Sequence, residues 1–417
     1  MQIGKYSFGI GDRFAHQGEA QLRALRQASE NWGVEITPVW NKSNREHLLV
    51  HSTPAGTRRE ADEAVAALGY EGAYFVDADH INLSNVDAFI ESSDFFTLDV
   101  ADFIGREAPP SEIEAFVEKN RAYTGKLQIP GIREPFDLPE TLLRSIAGKF
   151  LYAVQEAGRI YRHIEAQKGA GRFIAEVSMD EVNEAQSPVE LFFILSALAA
   201  EQIPAQTIAP KFTGRFNKGV DYVGDPARFA KEFEEDLLVI DYAVKAFGLP
   251  ADLKLSIHSG SDKFSLYPLM GALIRKYDKG LHLKTAGTTW LEEIIGLSLS
   301  GEEEALRLAK AIYAGALERF DELCAPYATV IDIRQDQLPS AREVEGWTGD
   351  KLANTLRHIP GHPDYNPNVR QLMHVAYKLA AEYGTAYTHA LENNQATVGR
   401  QVTENLYDRH IRRLFIP

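Results

Sequence analysis

Along the chain, short apolar runs of strand length alternate with longer stretches whose apolar residues recur at three- and four-residue spacing. That alternation is the pattern of a parallel sheet wrapped in helices. The strand-type runs are Tyr6–Ile10, Glu35–Trp40, Ala73–Asp77, Phe95–Leu98, Phe173–Val177, Thr207–Pro210, Leu253–Ile257 and Leu281–Lys284. Eight such strands close a barrel, so the pattern predicts an α/β fold of the (β/α)8 TIM type.

The intervening helices are equally legible. Residues 18–32 carry Leu22, Leu25, Ala28 and Trp32 at helical spacing, and residues 58–68 carry Ala61, Ala64, Val65 and Leu68 before a stop at Gly69. Ser187-Pro188-Val189-Glu190 reads as a helix start, with Ser as N-cap, Pro at N1 and Glu at N3. Further amphipathic helices are predicted over 226–247, 264–277 and 302–323.

Two regions exceed a minimal barrel. Between the fourth and fifth strands, residues 102–170 contain a helix start at Ser111 with Glu114, a Pro/Gly link at Ile129-Pro-Gly131 and a long helix over 140–167. An insertion of that size reads as a lid or helical cap. Residues 1–320 are therefore assigned to the barrel and 321–417 to a mostly helical extension. That extension holds an apolar run at Ala328–Ile333, a Pro/Gly loop at 359–367 and a helix over 368–383. It is expected to close over the barrel mouth or to make a homo-oligomer.

Composition narrows the class. Lys and Arg number 44 against 59 Asp and Glu, a formal net charge of −15, and the basic residues form no run, which argues against a nucleic-acid surface. An anionic small molecule would need a few aimed cations. Cys324 is the single cysteine, so no internal disulfide can form, and its place at a helix end suits packing. The N-terminus lacks the apolar core of a signal peptide, and no run approaches the roughly 18 residues of a membrane span. The expectation is a cytoplasmic protein.

The chemistry gathers where the strands end. Gly72-Ala-Tyr-Phe-Val-Asp77-Ala-Asp79-His80-Ile-Asn82 runs from apolar residues straight into carboxylates and an imidazole; Ile257-His258-Ser-Gly260 and Leu281-His282-Leu-Lys284 repeat the design. Barrel enzymes build active sites on that face. His80, His258 and His282, each at a separate strand end, are natural ligands for a borderline divalent ion, with Asp79 or Glu176 completing a mixed N/O site for Zn, Mn, Co or Ni. Taken singly, each histidine has a bland alternative as a hydrogen-bonded structural residue. Asp79 and Glu176, on different strands, are the candidate proton-transfer pair. Asp79 could instead merely orient His80, and Glu176 could partner a nearby Lys. Lys211, Arg215, Lys218, Lys263 and Lys284 form the cationic group, Arg215 and Lys218 lying in a glycine-containing loop that also holds Asp221; a solvated surface loop is the other reading. Gly9-Ile-Gly11 is followed by Phe14 where a dinucleotide fingerprint needs a third glycine, and no phosphate-binding loop or nucleophile elbow is present. His358 and His362 have i, i+4 spacing, but Pro360 and Gly361 between them forbid the aligning helix.

Asp79-His80-Ile-Asn82, Ala175-Glu176-Val-Ser-Met-Asp180-Glu, Pro210-Lys211-Phe-Thr-Gly-Arg215-Phe-Asn-Lys218-Gly-Val-Asp221-Tyr, His258-Ser-Gly-Ser-Asp-Lys263-Phe and His282-Leu-Lys284-Thr-Ala-Gly287-Thr together resemble the metal-dependent tagaturonate/fructuronate epimerases of hexuronate catabolism. The resemblance covers roughly residues 1–320. It implies a divalent-metal-dependent epimerase with Asp79 as proton acceptor, Glu176 as proton donor and His80, His258 and His282 as metal ligands, Asp180, Glu181 and Glu184 being nearby alternatives for the donor. Lys211, Arg215 or Lys263 is expected on the substrate carboxylate. A metal-dependent class II aldolase acting on sugar acids would need nearly the same groups, and a non-catalytic sugar-acid binding protein would show no chelator-sensitive turnover.

Overall fold

A computed structural model describes every residue of the chain except Ala286, which sits inside the His282–Thr288 motif and so leaves that part of it outside the described residues. All eight expected strands are present: β1 (Tyr6–Ile10), β2 (Ile36–Ser43), β3 (Phe75–Ile81), β4 (Phe95–Asp99), β5 (Ile174–Ser178), β6 (Thr207–Ala209), β7 (Lys254–His258) and β8 (Leu281–Lys284). Each pairs in parallel with its sequence neighbour, and β1 pairs with β8 to close the barrel. Ile3, Val39, Phe75, Phe95 and Ile174 form a small apolar cluster of their own, separate from the larger core.

β4, β5 and β7 end one residue later than their apolar runs, and two strands run well beyond them. β2 continues to Ser43, whose hydroxyl caps the unforeseen helix Asn44–Val50, with Glu46 returning the bond to the Ser43 backbone. β3 continues through Asp79 and His80, with a register shift against β4 between Ala78 and Ile81 and a left-handed His80 (φ 51°). An extra residue in one strand breaks the strict in-out alternation. Asp77 and Asp79 share a face by alternation, and the irregularity turns His80 to the same side, where it meets His258.

Residues 102–170 sit on the flank of the barrel. Helix Glu140–Lys168 takes the ordinary position after β4, against helix Pro188–Ala200, and Phe116 and Tyr123 from the preceding segment meet Phe193 and Phe192 on the outer side of that helix. The helix expected from Ser111 begins instead at Pro110 behind Pro109, with no side-chain cap; proline's fixed φ supplies the start, and Glu114 pairs with Arg144. The cap at Ser187 with Glu190 forms as expected.

Chain order and packing part company at the C-terminus. Helix Thr288–Ser298 belongs to a second apolar core with helices between residues 303 and 398. Val402, Leu406, Ile411 and Leu414 then return to the barrel core, beside helices Gly18–Trp32 and Tyr267–Lys276. The last turns of the chain thus complete the outer ring, and the helices between cover one side of the mouth. Ala328–Ile333 forms no strand; Val330 and Ile331 offer their carbonyls to Lys218 N–H and Arg215. Cys324 is buried. Among the described residues no helix is long and apolar enough to cross a membrane.

Candidate active site

At the centre of the mouth one ammonium is shared by three carboxylates. Lys284 Nζ lies 2.7 Å from Asp77 Oδ2, 2.9 Å from Asp79 Oδ1 and 3.0 Å from Glu176 Oε1. Thr97 donates to Asp77 at 3.0 Å, and Thr207 donates to Glu176 Oε2 at 2.7 Å. The group is fully buried, and charges buried at this depth persist only when paired. Three anions hold the Lys284 ammonium far above the usual lysine range despite its burial. The carboxylates separate in response. Burial lifts Asp77 to about 7, while for Asp79 the opposing pull of Lys284, His80 and His258 overcomes burial and brings it down to about 2.

Next to this group stand two imidazoles, each fixed by a carboxylate at one nitrogen. His258 Nε2 is 2.8 Å from Glu176 Oε1, and His80 Nδ1 is 3.1 Å from Asp99 Oδ2. The rings meet edge to face at 5.2 Å between centroids. His258 Nδ1 is 3.2 Å from Asp180 Oδ1 yet makes no hydrogen bond, and Ser178 holds that carboxylate from behind at 2.7 Å. His80, Asp180 and His258 bring ligand atoms within 4.8 Å of one another, and His80, Asp99 and Glu181 form a second such group. A carboxylate behind each histidine, with the other ring nitrogen turned to a common point, is how metal-binding imidazoles are oriented. The surrounding anions also draw positive charge in: burial would lower His258, but Asp180 and Glu176 push it up to about 9.

His282, the third ligand expected, stands apart from both groups. The β7–β8 register sets Lys284 level with His258 and His282 level with Ser256. His282 therefore lies two residues deeper, roughly 6.6 Å at the usual strand rise. Its Nδ1 is 2.8 Å from Ser7 Oγ, its ring tilts against Phe95, and burial drives it down to about 3, a neutral imidazole of the barrel interior. The carboxylate that gathers with His80 and His258 is instead that of Asp180. Glu176 has no exposed surface and is saturated by Thr97, Thr207, His258 and Lys284, which keep it well below the ordinary carboxylate range in spite of burial.

The β6 loop residues are mostly occupied. Lys263 Nζ donates to the carbonyls of Asn217 (3.0 Å) and Val220 (2.9 Å), pinning the loop. Asp221 accepts from Ser265, and Arg215 reaches Ile331 O (3.2 Å) and Asp332 (3.6 Å) in the extension. Lys211 is held through its backbone, its N–H donating to the Gln186 side-chain oxygen and its carbonyl accepting from Gln186 N–H, and these bonds leave its ammonium uncommitted. Lys218 turns inward under Tyr327 (5.4 Å), and Lys284 serves the carboxylate group. His358 packs on Asp262 at 3.3 Å.

A closed parallel barrel whose mouth carries a lysine-bridged carboxylate set beside a paired-histidine cluster defines an enzyme of the (β/α)8 class, its site in the ordinary position for that fold. Residues 1–414 match the family model described as tagaturonate epimerase, and the chain belongs to that family; it is an epimerase, hence an isomerase. The tagaturonate/fructuronate epimerase of Thermotoga maritima is 29% identical over 384 residues, covering 89% of this chain and 72% of that protein. Crystal structures of the fructuronate-tagaturonate epimerase of Cohnella laeviribosi share the fold at 24% identity. The glycerol-complexed form has a TM-score of 0.80 over 98% of this chain and 81% of its own, and the native form 0.78 over the same shares.

Proposed function

We propose that this chain is a cytoplasmic, divalent-metal-dependent enzyme that interconverts D-tagaturonate and D-fructuronate by breaking and remaking a carbon–carbon bond. The two sugar acids differ at the carbinol carbon two bonds from the ketone. Its C–H is not the acidified α-hydrogen, so simple deprotonation there is disfavoured. The hydroxyl on that carbon is a better place to start. Its proton passes to Asp79, the bond to the ketone's α-carbon cleaves to an aldehyde and an enediolate, and the aldehyde turns over. The bond then re-forms on the other face, and Asp79 returns the proton. Atoms and electrons balance without an oxidant.

The observation that carries this reading is the pairing of an anionic Asp79, held by Lys284 at 2.9 Å, with the His80–Asp180–His258 cluster immediately beside it. His80, His258 and Asp180 would hold the cation, with Zn, Mn, Co or Ni each compatible with a mixed N/O set. When bound, the cation supplies Lewis-acid polarisation of the ketone oxygen. Asp99 and Glu176 fix the two rings, and Glu176 acts through His258 and Lys284. The match to the tagaturonate epimerase family supports an epimerase over an aldolase. Turnover in deuterium oxide is the test. The inverted carbon keeps its original hydrogen, activity falls on chelation, and three-carbon fragments do not accumulate; deuterium at the inverted carbon overturns the route.

A further inference from the structure

We infer that the substrate carboxylate is held by a basic corner formed by Arg13, Lys218 and His374 at the start of helix Thr288–Ser298, a refinement that rests on the sugar-acid reading above. Arg13 follows β1 and is buried (7% exposed). Its Nε is 3.1 Å from Glu46 Oε1 and its guanidinium lies 4.1 Å over the Tyr377 ring, yet among the described residues neither Nε nor Nη1 makes a hydrogen bond. His374 is 1% exposed, and neither of its ring nitrogens has a partner there either. Glu46 answers Arg13 Nε by charge, but buried polar atoms such as Arg13 Nη1 and the His374 nitrogens are costly to leave without a partner.

Both side chains converge on Gly287. A Cβ at that position would overlap His374 Nε2 and sit 3.1 Å from Arg13 Nη1. Gly287, at φ 89°, is also the N-cap of the 11-residue helix Thr288–Ser298 and offers no side chain to the first turn. A helix start with free N–H groups carries positive potential. Lys218 stands near by under Tyr327, with Arg45 exposed at the rim 5.2 Å from the same ring. Burial first, and then neighbouring cations including Arg13, push both Lys218 and His374 down.

The place suits the reaction. Gly287 comes three residues after Lys284, and Glu46, the partner of Arg13, is close enough to Asp79 to feel its charge. A sugar acid with its reacting hydroxyl at Asp79 can therefore extend its carboxylate toward Arg13 and His374. A carboxylate accepts from a guanidinium, an ammonium and an imidazole N–H together, whereas an uncharged sugar would leave them unpaired.

Lys218 is half-buried and the least entangled of the three, so its variants read the site with the least risk to folding. Lys218→Met is expected to raise KM for D-tagaturonate about 10- to 100-fold, the loss of one charge-assisted hydrogen bond, with a much smaller change in kcat. Lys218→Arg restores KM. An unchanged KM in Lys218→Met, or an arginine that fails to rescue, overturns the assignment. Calorimetric titration of D-tagaturonate separates this from the reaction itself. Should the wild type bind the sugar acid without turning it over, the epimerase route falls while weaker binding by Lys218→Met still supports the corner. Equal binding by wild type and variant overturns it.

Discussion

Gly9 faces Lys284 across the β1–β8 seam so closely that a Cβ on residue 9 would lie 2.8 Å from Lys284 Cγ and 3.2 Å from its Cα. The bare backbone of β1 lets the lysine rise straight into the three carboxylates. Gly9→Ala is expected to leave a folded barrel with a displaced ammonium and to lower kcat by roughly 10- to 100-fold, since misplacement on the ångström scale costs about that much. Unchanged kinetics with an unchanged melting curve would refute the need for that contact.

Asp79→Asn keeps the shape at the end of β3 and removes the proton acceptor. Activity should fall by about 10²- to 10⁴-fold, the range for a positioned acid–base group. Tagaturonate should still bind, because its carboxylate lies elsewhere. Calorimetry alongside turnover checks both halves.

Cation affinity divides the three histidines. His80→Ala and Asp180→Asn should abolish tight divalent binding, whereas Asp99→Asn, which only frees the His80 ring, should weaken it about 10- to 100-fold. His282→Gln should leave it intact. Chelator-competition titrations give the affinities, and a cation lost with His282 would restore that residue as a ligand.

Buried Asp262 ties the covering helices to the barrel. It lies 2.6 Å from Arg370 and 3.3 Å from both His358 and His410. Burial opposes its charge, but Arg370 and the two histidines hold it well below the unfolded value of 3.8. A carboxylate depressed in the folded state adds stability above its unfolded pKa and loses it as pH falls toward the folded one. Asp262→Asn should cost about 3–5 kcal/mol at neutral pH, as for one partner removed from a buried pair. Melting followed downward from pH 5 should fall less steeply in the variant; parallel slopes would contradict the assignment.

Helix–strand alternation and the eight apolar runs were enough to specify the barrel, because burial on both faces demands continuous apolar strands and the helical period shows through each amphipathic segment. The same runs brought Asp79, His80, Glu176, His258 and Lys284 to one face, since a parallel barrel puts every strand's carboxyl end on the same side. Depth along a strand is another matter. His282 and His258 look alike in the chain, and only the β7–β8 register shows that Lys284, not His282, is level with His258. The bulge that aims His80 leaves no mark in residue type. Arg13 and His374 lie 361 positions apart and meet at Gly287 only because the covering helices fold back over the mouth. Local patterning reports which face a residue takes. Contacts between distant segments come from packing the whole chain, where the choice of partner depends on shape and charge that no short window contains.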